Sequence, residues 1–472
     1  MRRIGFAHDP LPCVSMTTTP SAPTRLIDEL RVLPSGGAPV LAVTLGTFTL
    51  RLATGVTGTM LLFYYASFPE FGARAVQPWE VGILGALFYL SELVGSPIFG
   101  VLSDRIGHRR MMLVGPAFGA IAVIITAFTT SLVVIGATRL LEGASTAASV
   151  PSILGFIAFA TATNELARGK AVAHFEAATL AGLMVGMVLA GFLFPLLHGW
   201  AFLINAVLYG VSFALYRFGV RKDAEPAPAA ANHDKGEGLA RYMRILRGSH
   251  VWLLAPTWIA INATLGLYTS QTLFQLVRAP DPAFASQQLM GGFSPVQISL
   301  GLGMGGLLFF AGLFYWGGRF RDMKRTTIIL RGIGGGAVLL VAGAGINHAA
   351  GLPLPVTLGL VGLAGAGLFV LAGATPAAIG LLADMTEAYP DDRGAIMGLY
   401  SVFLGLGQII GSTLGGLAAQ VYGLDGIFGA SVVLLAIAIL PIRQLRGYEH
   451  HVGAPVMTSV PDGPGTGAPG AG

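Results

Sequence analysis

Six ionisable side chains interrupt long apolar runs in the first half of the sequence: Arg51, Glu92, Arg139, Glu142, His174 and Glu176. A charge in hydrocarbon is costly enough that each one is a functional candidate. At about 100° per residue, Arg139, Glu142, Gly143 and Thr146 share one helix face, a polar stripe with a cation and an acid one turn apart. Two chemistries fit this pattern. In one, Glu92 or Glu142 takes up a proton when its surroundings open to one side and releases it on the other, with a proton affinity set by desolvation against a nearby arginine. In the other, Arg139 with Glu142 and Arg51 with Glu92 are permanent neutral pairs that never titrate. Glu176 is a third proton candidate, although it stands about 120° around the helix from Gly182. His174 reads as a bundle or interfacial histidine rather than a shuttle. The second half has no acid well inside an apolar run; Asp384 and Arg331 stand near run ends, and the midplane polarity is amide and hydroxyl. Arg51, Arg139, Asn262, Tyr268, Gln271 and Gln408 are therefore the candidates for lining a binding cavity.

The elements that must position these groups follow from composition. Of 472 residues, 54% are hydrophobic and only 11% charged, and the mean hydropathy is +0.71, against about 25% charge in a soluble globular chain. The single cysteine, Cys13, excludes an intramolecular disulfide framework and a cysteine-ligated metal cluster. Twelve apolar stretches are long enough to span a hydrocarbon core of about 30 Å: 39–67, 81–102, 111–129, 132–157, 170–196, 199–218, 250–277, 296–317, 327–346, 354–383, 395–420 and 426–442. Only helices satisfy their own backbone in lipid, so an all-α integral membrane protein is expected.

With a cytoplasmic N-terminus, the external loops hold only Arg74 and Arg278 of the 28 Lys and Arg, and both termini are cytoplasmic. The net charge of +5 is thus a topology bias rather than a nucleic-acid surface. Residues 1–37 and 446–472 read as disordered tails. Between the six-span units 38–218 and 250–445 lies a polar linker, 219–249. There Leu239, Tyr242, Met243, Ile245 and Leu246 interleave with Arg241, Arg244 and Arg247, either as a short amphipathic helix on the inner leaflet or as a solvated segment.

The two units repeat at an offset of 225 residues, which pairs Arg168-Gly169 with Arg393-Gly394, Gly182 with Gly407, Gly186 with Gly411, Gly191 with Gly416 and Pro151 with Pro376. Gly182/Gly186 and Gly407/Gly411 are small-xxx-small pairs that permit close helix packing. Duplicated bundles can rock about a shared midplane site, or the glycines can be static packing seams.

Between spans two and three stands Gly100-Val101-Leu102-Ser103-Asp104-Arg105-Ile106-Gly107-His108-Arg109-Arg110. This string resembles the cytoplasmic signature of the major facilitator superfamily. Arg139-Leu-Leu-Glu142-Gly143 resembles that family's Arg-x-x-polar-Gly motif. Gly182-x-x-x-Gly186-x-x-x-Ala190-Gly191 resembles its antiporter motif, with Met187 where proline is usual and Ala190 replacing a glycine. The second-half loop 316–325 keeps basic residues but lacks the Asp-Arg-x-Gly core.

The resemblance implies two pseudo-symmetric six-helix bundles. It also implies a conformational latch at Gly100, Asp104, Arg105, Gly107, Arg109 and Arg110, broken when the molecule opens inward. The expected activity is proton-coupled export of a hydrophobic or amphiphilic small molecule by a monomer in the plasma membrane, without cofactor or metal. Uptake of an organic anion at Arg51 and Arg139 is the alternative. A non-transporting membrane assembly factor of the same fold is a second class, and no motif of a membrane enzyme or ATP site is present. Aromatic groups such as Phe63-Tyr64-Tyr65, Phe88-Tyr89 and Phe314-Tyr315-Trp316 read as bundle packing or, where they line a cavity, as an apolar wall suited to lipophilic solutes.

Overall fold

The computed structural model describes residues 37–161, 164–220, 251–387 and 393–452. The expected N-terminal tail, the linker with its amphipathic segment and the chain beyond 452 lie outside the described residues. No strand occurs among the described residues. The helices are α1 (Gly37–Ala66), α2 (Pro78–Ile106), α3 (His108–Ala127), α4 (Leu132–Ala160), α5 (Glu165–Leu197), α6 (Ala201–Gly219), α7 (Val251–Val277), α8 (Pro295–Gly318), α9 (Arg325–Asn347), α10 (Leu354–Leu371), α11 (Ala374–Glu387) and α12 (Arg393–Val452).

These helices do not coincide one for one with the twelve expected spans. Among the described residues, nine stretches are long and apolar enough to cross a membrane. Two of them, Leu166–Gly219 and Ser401–Gly447, hold two passes each. The first turns at the short 3-10 helix His198–Trp200, the second at Gly423, whose φ of 60° and ψ of −140° suit only glycine. Helix α7 is long enough to join them and carries no charged residue, although its second part is polar, with Asn262, Ser270, Gln271 and Gln275. The described helices, α7 included, cover the twelve expected stretches in chain order. The tenth span is broken into α10 and α11. Gly373 lies against the Trp316 ring at the break, and Pro376 cannot donate a backbone bond to the preceding turn. The last helix runs on to Val452, past the expected boundary at 445.

Chain alternation gives the bundle a basic end, carrying Arg105, Arg217, Arg325 and Arg443, and an opposite end with Arg74 and Arg278. The duplication is visible in the packing. A methyl group built on Gly182 or Gly186 would strike the carbonyl oxygens of Phe48 or Leu52 on α1. One on Gly407 or Gly411 would strike those of Ile259 or Ala263 on α7. The glycines are 225 residues apart and their partners 211 apart, so one helix pair is repeated in each half.

Gly191 and Gly416, the third members of the series, instead meet the facing half: Gly191 the Pro295 carbonyl and Ser299 on α8, Gly416 the Pro78 carbonyl and Gly82 on α2. Helices α2 and α8 start alike, each with proline at the first helical position and a capping box. Glu80 accepts from the Gln77 amide at 2.8 Å, and Gln297 from the Ser294 amide at 2.9 Å.

Candidate functional site

The halves meet at the opposite end and part toward the basic end. Gln271 Nε2 donates to the Pro78 carbonyl at 3.0 Å, Gln420 Nε2 to Gln77 Oε1 at 3.2 Å, and Ser299 Oγ to the Met187 carbonyl at 3.3 Å. Contact between α2 and α12 persists down to Leu93 and Gly405. Beyond it, a methyl group on Gly169, Gly317 or Gly318 would meet nothing within 4 Å. Val94, Ile98 and Val101 on α2 and Phe314 on α8 are exposed there, Phe314 by 81%.

At mid-depth of the first half, Arg139 and Glu142 form an ion pair buried to 12% and 3% side-chain exposure. Spacing of i, i+3 on α4 brings them together, and Gly143 lets α2 approach so closely that its Phe88 carbonyl abuts the glycine. The Arg139 guanidinium lies 4.7 Å from the Phe88 ring centroid, a cation–π contact. Only one carboxylate oxygen of Glu142 is used. Its Oε1 and the hydroxyl of Tyr65, 2% exposed, are buried without a hydrogen-bond partner among the described residues. Tyr65, Tyr89 and Tyr209 all lie within electrostatic reach of Arg139. Such unpaired buried atoms call for an occupant or a function.

The other candidates divide by location. Arg51 is half-buried and acts electrostatically on both Glu92 and Glu176, yet among the described residues it makes no ion pair with either. The Arg51–Glu92 pair of the permanent-pair alternative is thus, among the described residues, a charge interaction without an ion pair. Glu176 is exposed on α5, toward the basic end. Asn262 donates to the Trp258 carbonyl at 2.9 Å and packs on Gly407. Gln408 is 4% exposed with its Oε1 unpartnered, beside Gly266. Gln271 belongs to the contact between the halves. The Tyr268 hydroxyl accepts from Ser431 on α12 at 3.3 Å, and its ring packs toward Phe428, so it lies in the core of the second half. His174 is half-buried.

In the loop 100–110, Gly107 takes φ 99° between α2 and α3. Arg109 is buried and caps α6, donating from Nε to the Val220 carbonyl and from Nη2 to the Arg217 carbonyl, each at 2.6 Å. It therefore ties the loop to its own half. Gly100 faces Pro151 of that same half, while Asp104, Arg105 and Arg110 are exposed. Among the described residues Asp104 makes no hydrogen bond. In the second half Arg325 holds Asp384 through both carboxylate oxygens.

The sequence reading missed a polar stripe on α6: Asn205, Tyr209, Ser212 and Tyr216, all buried. Asn205 Nδ2 donates to Thr57 Oγ1 at 2.6 Å and to the Ala53 carbonyl at 3.0 Å, and Ser212 donates to the Gly46 carbonyl at 2.8 Å. Their spacing of four, three and four residues was the available signal.

The family model described as Major Facilitator Superfamily matches residues 43–371 and 282–451. "Multidrug resistance protein 2" of Bacillus subtilis is 24% identical over 42% of this chain and 48% of its own length. "Quinolone resistance protein NorA" of Staphylococcus aureus is 22% identical over 50% of this chain and 56% of its own. The match thus spans about half the length of these bacterial relatives. A bovine "Major facilitator superfamily domain-containing protein 10" is 25% identical over 77% of this chain and 78% of its own. Among solved structures, the nucleoside transporter NupG superposes with a TM-score of 0.63 at 17% identity, covering 88% of this chain and 97% of NupG. The human organic anion transporter MFSD10 superposes with 0.58 at 20%, covering 87% of this chain and 100% of its own. At these identities the structural likeness speaks to the fold.

Proposed function

Because the chain belongs to the major facilitator superfamily of membrane transporters, we propose that it exports lipophilic or amphiphilic small molecules in exchange for protons. The observation that carries this reading is the half-paired Glu142, whose Oε1 has no hydrogen-bond partner among the described residues while its other oxygen holds Arg139. That oxygen can accept a donor group of a bound solute with the ion pair intact, or a proton, which neutralises the carboxylate and leaves Arg139 a hydrogen bond in place of an ion pair. Protonation removes the charge that balances Arg139, and an occupant, proton or solute, that favours one arrangement of the halves shifts their populations. The multidrug relatives support the substrate class, as does an aromatic surround of Tyr65, Phe88 and Tyr89, which offers few donors to a sugar-like solute.

In this reading the basic end is cytoplasmic, and the arrangement described is the inward-open one. Arg51, Glu92 and Glu176 then stand along the proton's route to the cytoplasm, and Asp104 is released from the second half. A second reading, uptake of an organic anion, is favoured by Arg51, a half-buried cation without an ion pair among the described residues.

Proteoliposomes distinguish the two. With a fluorescent amphiphilic cation as probe, export by exchange predicts uphill movement on a pH gradient and proton flow opposite to the probe, both lost in Glu142→Gln and Glu92→Gln. Electroneutral exchange of organic anions predicts no proton flow. Uphill, gradient-driven movement surviving in both variants would remove these acids from the coupling.

A further inference from the structure

On the outer flank of the second half, α9 and the last arm of α12 diverge around a groove of about 840 Å³. Helix α9 packs against α10, α11 and α12, so the groove lies away from the seam between the halves. Its floor is buried Ile333, Leu340 and Leu435, and its rims, Val341 and Val432, are 69% and 58% exposed. Small residues open it: a methyl group on Gly334 would meet nothing within 4 Å. Along α9 it runs from Leu330 to Val341, about 16 Å at the helical rise, which is the depth of one leaflet of a core about 30 Å thick.

At the basic end the groove is closed by Arg443 and Arg446, one turn apart on α12 and both exposed. Among the described residues no carboxylate pairs with either, whereas Arg325 holds Asp384 and Arg319 approaches Asp322. Arginines at a helix end are by themselves an ordinary topology signal. Here they stand directly over an apolar trough of acyl-chain length. A groove of the same volume, lined by Trp252, Ile259, Phe403 and Ile437, has no cation among its described lining residues.

We propose that this groove is a binding site for an anionic glycerophospholipid of the leaflet on the basic side, its acyl chains along α9 and α12 and its phosphate between Arg443 and Arg446. Guanidinium groups suit phosphate because they present paired donors, and the apolar trough gives a lipid an advantage that free phosphate lacks.

The test is native mass spectrometry of the full chain in neutral detergent, with dioleoyl phosphatidylglycerol, dioleoyl phosphatidylcholine and inorganic phosphate as probes. The expected result is one retained phosphatidylglycerol, with binding weakened about 30-fold in Arg443→Gln/Arg446→Gln, from two charges acting near a phosphate. Ala337→Trp, which fills the trough without touching charge, also loses the lipid. Arg217→Gln, at the same end of α6, leaves it bound. Equal retention of phosphatidylcholine, competition by inorganic phosphate alone, unchanged binding in the double arginine variant, or an equal loss in Arg217→Gln would each overturn the proposal.

Discussion

Gly416→Ala separates contacts between the halves from contacts within one. The new Cβ would lie 2.9 Å from the Pro78 carbonyl oxygen and 3.0 Å from the Cα atoms of Trp79 and Gly82. All are backbone atoms of the facing half, with no side chain free to rotate away. Overpacking of this kind costs about 1–3 kcal/mol. The strain exists only while the opposite end is shut, so it shifts the equilibrium toward the open form by about 5–150-fold. Gly411→Ala is the control, because its clash is with Ala263 inside the same half and persists in every arrangement. The assay is disulfide formation between Gln77→Cys and Gln420→Cys, whose native amides lie 3.2 Å apart, in a Cys13→Ser background. Gly416→Ala is expected to lower the cross-linking yield steeply. Gly411→Ala is expected to lower the melting temperature and leave the cross-linking yield of the folded protein unchanged. Unchanged cross-linking in Gly416→Ala, or an equal loss in both, would refute the idea that this seam opens.

Glu142→Gln leaves the buried Arg139 without its carboxylate and is expected to destabilise by about 3–5 kcal/mol. Among the described residues Glu92 makes no ion pair, so Glu92→Gln should move the thermal midpoint little, a contrast readable by differential scanning fluorimetry. Arg109→Gln removes two charge-assisted bonds to the end of α6, each worth about 1.5–3 kcal/mol; the same assay should show a lower midpoint, and an unchanged one would contradict the capping role. Gly107→Ala forces an alanine to φ 99° at a cost of about 1–3 kcal/mol, and a native melting curve would show that the turn adjusts.

Much of this molecule was legible in residue types. Apolar runs fixed the helices because lipid leaves the backbone no other way to pair, and the 225-residue offset named the glycines at both helix crossings. The i, i+3 spacing of Arg139 and Glu142 gave their pairing. Depth and direction were harder. Tyr268 and Gln271, three residues apart on α7, go to the second-half core and to the seam between halves, because rotation about a helix is set by its neighbours. The break at Gly373 was hidden for a related reason: Pro151, in the matching position, sits inside an unbroken α4. What differs is the Trp316 ring pressed against Gly373. The stripe on α6 carried a readable period, but its hydroxyls and amide looked like isolated polar residues until α1 supplied their partners.

Alternating access is most directly tested by electron–electron distance measurements on two spin-label pairs in the reconstituted protein. One joins Gln77 to Gln420 at the closed end, the other Val172 to Phe314 across the open end. Imposing a pH gradient with transported solute present should lengthen the first distance and shorten the second in the same molecules. Two distances that stay fixed, or that lengthen together, would contradict a pair of rocking halves.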